Sequence, residues 1–286
     1  MKRTRIIVIG DIHTGSIFGL QHPSSIPDDK KNDFSEWIFK SWEDFCLKYN
    51  NPDYLLLIGD LADGSQAKNL GVDAITTDTD EQVRMVKELL MMLIGDKTKI
   101  YGINGSGYHG GLGQGTCIDR RATESVNGEF KGNVFEFDIA NEKIQISHGG
   151  TGSMVNPSTY IQREIKLSKE DAQKRKEKGV TILIRGHQHR FYTIQDDAGI
   201  LGILNGCWQR RTPFMERMSV NVTPSFGATI IDIEDGIVKP YRADYFLPET
   251  VRQSMIGFEV LREKSMRTKK KKDDTEWKKT LSERKY

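Results

Sequence analysis

Cysteine is scarce in this chain, with three residues, Cys46, Cys117 and Cys207, among 286. An odd number, widely spaced and without a Cys-x-x-Cys pair, excludes a disulfide framework and a zinc knuckle, and suits three reduced thiols in the cytoplasm. Long apolar runs are also missing. None approaches the roughly 18 residues that a membrane helix requires, so no membrane partner is expected. Met1-Lys2-Arg3-Thr4-Arg5 has the basic character of an export signal. The apolar run Ile6-Ile7-Val8-Ile9 is too short for one, and Gly10-Asp11-Ile12-His13 ends it, so the expected location is cytoplasmic. A strong charge of one sign is absent too, the net charge being +2. That near-balance hides an asymmetry. Arg262 to Tyr286 holds eleven basic and five acidic residues, which leaves 31 basic and 35 acidic before it. The body is mildly acidic and the tail is basic, so composition offers no basic nucleic-acid surface on the body. No repeat of fixed period is present.

What is there begins with a core. Hydrophobic residues make up 37% and charged residues 29%. That composition suits one large soluble α/β domain, drawn here at residues 1–250, with a C-terminal helix and basic tail over 251–286. Short, often β-branched runs, each closed by glycine or a polar motif, read as buried strands at Arg5–Ile9, Tyr54–Ile58, Lys99–Ile103, Lys143–Ile146 and Val180–Ile184. Helical spacing recurs between them. In Asp33–Tyr49 the residues Phe34, Trp37, Ile38, Trp42 and Phe45 share a face, and in Asp80–Leu93 so do Val83, Val86, Leu89, Leu90 and Leu93. Trp37 and Trp42 read as core. Ser168-Lys169-Glu170-Asp171 reads as a helix start, with an N-cap serine and acids in the first turn. After residue 189 the pattern turns to antiparallel strands at Phe191–Ile194, Gly199–Leu204, Ala228–Ile233 and Ile237–Tyr241. The Asp235-Gly236 pair marks a hairpin between the last two. Units of βα type followed by hairpins imply a sheet sandwich with helices outside.

The chemistry-bearing residues lie at the ends of those strands. Asp11 and His13 follow the first, Asp60 the second, Asn104 and His109 the third, His148 the fourth, and Gly186-His187-Gln188-His189 the fifth. Five of the six histidines fall at a strand's C-terminal end, the edge where open α/β sheets bind ligands. Asp-x-His alone is weak, and Gly-Asp after a strand is as well explained by a turn. Gly-His-x-His is rarer, and the ordered set is what points to one site. Two carboxylates brought together there repel unless a cation joins them. Imidazoles beside carboxylates suit Mn, Fe, Zn or Ni better than Ca or Mg. Two such ions sharing a carboxylate generate hydroxide near neutral pH and neutralise phosphoryl oxygens in an in-line displacement.

The order Asp-x-His, Gly-Asp, an Asn/His segment, His and Gly-His-x-His resembles the calcineurin-like metallophosphoesterase superfamily over about Arg5 to Tyr241. The segment Ile194–Arg211, with Asn205-Gly206-Cys207-Trp208, resembles phage-encoded members. The resemblance implies a four-layer α/β/β/α sandwich and two divalent ions, Mn first, with Fe, Zn, Ni or Mg as alternatives. It implies that Asp11, His13 and His189 hold one ion, that His148 and His187 hold the other, and that Asp60 bridges. The family's third motif, Gly-Asn-His and an acid, is altered here to Gly102-Ile103-Asn104-Gly105-Ser106-Gly107-Tyr108-His109. The resemblance leaves the second ion's further ligand to the Asn104 side-chain oxygen, to Ser106, or to no residue at all. It makes His109 the outer histidine that contacts phosphate or protonates the leaving group.

The leading expectation is a phosphoester hydrolase, a phosphodiesterase or nuclease ahead of a protein phosphatase or small-molecule phosphomonoesterase. The basic tail is expected to hold a nucleic acid or other polyanion. The reading from another class is a non-catalytic binding protein with a degenerate site. His22 is expected at the surface and Asp63 in a turn or cap. Arg185, Arg190, Arg210 and Arg211 are candidates for phosphate contact, with a surface salt bridge the better reading for each.

Overall fold

The computed structural model describes residues 3–66, 71–109, 117–149, 156–213, 215 and 223–254. The strands are β1 (Arg3–Ile9), β2 (Tyr54–Leu57), β3 (Lys99–Gly102), β4 (Glu129–Phe130), β5 (Val134–Ile139), β6 (Glu142–Ser147), β7 (Ile182–Arg185), β8 (Tyr192–Gln195), β9 (Leu201–Leu204), β10 (Phe226–Glu234) and β11 (Ile237–Tyr245). The α-helices are α1 (Asp33–Tyr49), α2 (Thr79–Met91), α3 (Ile118–Ser125) and α4 (Pro157–Arg175).

The strands form two sheets, a six-stranded one in the order β11-β10-β1-β2-β3-β4 and a five-stranded one in the order β5-β6-β7-β9-β8. In β1 the run Ile6–Ile9 is wholly buried because both faces of the strand are covered, which is why it reads as continuous rather than alternating. Ile7 and Ile9 pack with the faces of α1, α2 and α3. Ile6 and Val8 pack instead with Ile144, Ile146, Ile182, Ile184 and Ile203 of the second sheet. On the far side of that sheet Tyr160 and Ile161 of α4 meet Leu183 and Leu204. The order is therefore helix, sheet, sheet, helix, the four-layer sandwich expected.

Local chemistry sets the boundaries. Asn32 and Ser35 form a reciprocal capping box at the start of α1, which satisfies two of its free N–H groups. Trp42 and Phe45 of α1 are fully buried and meet Trp208 edge to face, at 5.0 and 5.6 Å between ring centroids. Truncating either to alanine would cost about 3–5 kcal/mol. The turn Asp235-Gly236 has positive φ at both residues, 51° and 80°, the geometry a two-residue hairpin needs.

Two readings of the sequence are corrected. Ser168 does not start a helix but lies inside α4, which begins at Pro157, where proline is favoured in the first turn. The strand at Gly199–Leu204 is only half antiparallel. As β9 it pairs antiparallel with β8 but parallel with β7. The edge strand β5 and the helix α3 gave no signal used above. Residues 249–254 are helical, while the tail from Lys264 to Tyr286 lies outside the described residues. Among the described residues no helix is long and apolar enough to cross a membrane.

Candidate metal centre

β1, β2, β3, β6 and β7 run parallel, so their C-terminal ends meet at one edge of the sandwich. There the chain turns sharply. Asp11, His13, Asp60, His187 and His189 all have left-handed backbones, with φ between 49° and 68°. That region is sparsely populated by residues other than glycine and is held only where the surroundings over-determine it. Gly59 (φ 88°) is required as glycine, because a Cβ there would lie 2.3 Å from Gly105 Cα. The two loops after β2 and β3 pass at backbone contact.

The buried carboxylate of Asp11 accepts the His187 N–H on Oδ2 at 3.0 Å. Its Oδ1 faces three imidazoles, with Nε2 of His189 at 3.1 Å and Nε2 of His13 and His148 at 3.9 Å each. Asp60 Oδ1 accepts from the N–H and the hydroxyl of Ser106, at 2.7 and 3.0 Å. Its Oδ2 lies 3.0 Å from Nε2 of His148. The rings are oriented from behind. His148 Nδ1 is 2.8 Å from the Ile58 carbonyl, and His13 Nδ1 is 3.1 Å from Asp63 Oδ1. Each contact turns Nε2 inward, as outer partners of metal-binding histidines do.

Three triplets bring one donor atom each within 4.8 Å of one another: Asp11, His13 and His189; Asp60, His148 and His187; and Asp60, His13 and His109. Asp11 Oδ1, His13 Nε2 and His148 Nε2 are buried without a hydrogen-bond partner. His148 Nε2 is close to Asp60 but not aligned for a bond. Donors crowding together at about 3 Å without bonding one another are what a shared cation with ~2.1 Å bonds requires, and unpaired buried polar atoms are otherwise costly. The N/O set fits a divalent transition metal.

The charges agree. Burial opposes the charge of His148, but the Asp60 and Asp11 carboxylates outweigh it and lift its pKa to about 10. Burial likewise opposes charge on Asp60, and His148, His109 and His13 overcome it, holding the carboxyl well below its usual range. His13 and His187 are pushed down, mainly by burial and then by a neighbouring imidazole, His109 and His148 respectively.

The structure does not bring Asn104 into these triplets. Its Nδ2 donates to Asn133 at 2.6 Å and its Oδ1 accepts from Cys117 Sγ at 2.6 Å, while Ser106 takes the position against Asp60. Asp63 precedes a turn at residues 64 and 65, and it does more than the turn or cap role expected above. It is 2% exposed, and one of its oxygens lies 3.1 Å from the Nδ1 of both His13 and His109. Arg185 is paired, but inside the fold rather than on its surface, at 3.1 Å from Glu164. His22 is exposed, as expected, and caps a short 3-10 turn. Asp119, on α3, was missed. It accepts from the N–H groups of Leu61 at 3.0 Å and Gly105 at 2.8 Å, tying both motif loops to one helix. Burial, then Asp60, raises its pKa to about 6. An isolated aspartate outside any motif leaves no trace of such a role in the sequence.

A four-layer sandwich with convergent carboxylates and imidazoles at the parallel-strand edge defines a metal-dependent hydrolase of phosphoesters. The calcineurin-like phosphoesterase family model matches residues 4–191, and the chain belongs to that family. None of the curated proteins matches it. Among solved structures it resembles Vps29 complexed with zinc from Entamoeba histolytica, at 19% identity and TM-score 0.41, over 84% of this chain and 99% of that one. It also resembles a dimetal phosphatase from Danio rerio, at 10% identity and TM-score 0.44, over 85% and 99%. A metallophosphoesterase from Sphaerobacter thermophilus is similar at 12% identity and TM-score 0.40, over 88% and 98%. These likenesses are distant, and residue roles rest on the geometry above.

Proposed function

We propose that the protein is a phosphodiesterase or nuclease working with two divalent cations, Mn in first place. Asp11, His13 and His189 would hold one ion, His148 and His187 would hold the other, and Asp60 would serve both. The observation that carries this is the Asp11 and Asp60 pair, ringed by imidazoles, with Asp11 Oδ1 and the Nε2 atoms of His13 and His148 buried and unpaired. Such an ion pair supplies an acidified water and neutralises charge on the phosphoryl oxygens. The chain's own part is positioning and proton supply. Asp63 and the Ile58 carbonyl fix the imidazole orientations, and Ser106 fixes Asp60.

His109 is the proton donor. Its Nδ1 is held by the Asp63 carbonyl at 3.0 Å and the Asp63 carboxylate at 3.1 Å. Burial opposes its charge, but Asp63 and then Asp60 outweigh it and raise the pKa to about 9. Asp63 thus favours the protonated ring, the form that can donate. As the P–O bond to the leaving group breaks, the leaving oxygen takes the Nε2 proton. With its side chain 20% exposed, His109 stands at the rim of the cluster where substrate arrives.

Two features favour a diester of a polyanion. Arg210 and Arg211 are half-buried on a loop pinned to the site by the Trp208 N–H on the Asp11 carbonyl, at 2.9 Å. The basic tail adds positive charge of the kind that releases counterions when nucleic acid binds. The test is hydrolysis of a generic phosphodiester against a generic phosphomonoester with Mn added. A clear preference for the diester is expected, and a clear preference for the monoester would overturn this reading.

A further inference from the structure

A cleft of about 590 Å³ opens where β8 of one sheet faces the β10–β11 hairpin of the other, lined by Phe191, Thr193, Thr229, Pro240 and Arg242, with Tyr192 and Tyr241 beside them. It exists because the inter-sheet packing thins there. Along β10 the inward positions carry Ile233 and Ile231 in the inter-sheet core, and two residues on, facing the same way, comes the smaller Thr229. Tyr192 and Tyr241 do not fill the gap, since their rings pack on the outer faces of their sheets. Part of its lining lies near the metal-centre edge in strand register. Thr229 pairs with Val8, and Arg242 with Thr229, so both sit within three residues of Asp11 along β1. Phe191 is two residues, at most ~7 Å of chain, from His189.

The cleft is chemically equipped. Thr229 is 3% exposed and its hydroxyl has no hydrogen-bond partner among the described residues, although a buried hydroxyl left unpaired is costly. Phe191 offers a half-buried aromatic face. Arg242 lies 5.8 Å from the centre of that ring and pairs with Asp244 at 2.9 Å, at the mouth. An aromatic face, a planar guanidinium and an unsatisfied hydroxyl at close quarters suit a flat heterocycle with a hydrogen-bonding edge. Aromatic faces of this kind stack bases with little regard to sequence.

We propose that this cleft holds the nucleobase of a nucleotide substrate whose phosphate lies at the metal centre, Phe191 supplying the stacking face and Thr229 Oγ1 reading the base edge. The substrate role rests on the phosphodiester-hydrolase reading above, whereas base binding itself does not.

The test separates the two. The full chain, loaded with diamagnetic zinc, is titrated with adenosine, which carries no phosphate, and followed by backbone amide NMR. Adenosine should shift Thr193, Thr229 and Arg242 to saturation, and inorganic phosphate should leave them still. Thr229→Val removes only the hydroxyl and Phe191→Leu only the ring. Each should weaken adenosine binding about tenfold. For adenosine 5′-(p-nitrophenyl phosphate) each variant should raise KM by about the same factor with kcat unchanged. Methyl p-nitrophenyl phosphate, which has no base, should be hydrolysed as by the parent protein. Adenosine that leaves those amides unmoved, variants that bind it as the parent does, or benzyl alcohol binding equally well would each overturn the proposal. Adenosine binding without hydrolysis of either ester would contradict the hydrolase reading and leave the cleft supported.

Discussion

Asp63 Oδ1 lies 3.1 Å from Nδ1 of His109, so a carboxylate three residues beyond Asp60 orients the proposed proton donor. The same oxygen holds His13 at 3.1 Å, and the two rings meet edge to face at 4.5 Å between centroids. One buried acid thus sets both a proposed metal ligand and the proposed acid. Asp63→Asn should weaken metal binding roughly 10–100-fold, the usual consequence of losing an outer carboxylate. It should also lower the pH at which His109 loses its proton. Metal titration and a pH–rate profile read the two effects separately, and no change in either would show that Asp63 only fills space.

His109→Asn should lower turnover by roughly 10²–10⁴-fold, the range of general acid catalysis, while bound metal stays. The deficit should shrink for a p-nitrophenolate leaving group, which needs little protonation. The sign of the pH effect follows from its raised pKa, about 9. The acid form is present below that value and is lost as pH rises through it. Turnover of an alkyl ester should therefore fall on the alkaline side in the parent protein, and that limb should vanish in His109→Asn.

Ser106 and Asn104 are separable. Ser106 gives Asp60 two donors, whereas Asn104 is engaged by Asn133 and Cys117. Ser106→Ala should weaken binding of one metal ion by at most roughly 10–150-fold, through loss of a charge-assisted bond worth about 1.5–3 kcal/mol. Asn104→Ala should leave metal stoichiometry unchanged. The reverse ranking would mean that Asn104 turns inward when metal binds.

Removing residues 264–286 should leave hydrolysis of a small diester nearly unchanged. It should weaken nucleic-acid binding and flatten its salt dependence, since fewer phosphate counterions would be released. Unchanged binding and slope would place the polyanion surface elsewhere, with Arg210 and Arg211 the next residues to replace.

Much of this was legible in the sequence because buried parallel strands are written as short apolar runs and the candidate ligands stand at their ends. Asp11, His13, Asp60, His148, His187 and His189 could be placed at one edge from that pattern alone. The roles of Asp63 and Asp119 could not. Each acts across the fold, through contacts with residues 46 and 58 positions away in the case of His109 and Leu61, and no local periodicity records such a contact. The left-handed backbones at five of the site residues were equally hidden, since Asp and His carry no glycine signature. Ser168 misled because a good capping sequence can sit inside a helix that tertiary packing on β8 and β9 prolongs.

The central claim is that Asp60 joins two cations at the site of phosphoester hydrolysis. The most direct measurement is metal content and diester hydrolysis of the Mn-loaded parent protein and of Asp60→Asn, each before and after chelation. The parent should hold two ions per chain, lose activity with them and regain it with Mn. Asp60→Asn should lose metal and activity together. Full hydrolysis by metal-free parent protein, or full metal and full activity in Asp60→Asn, would contradict the account.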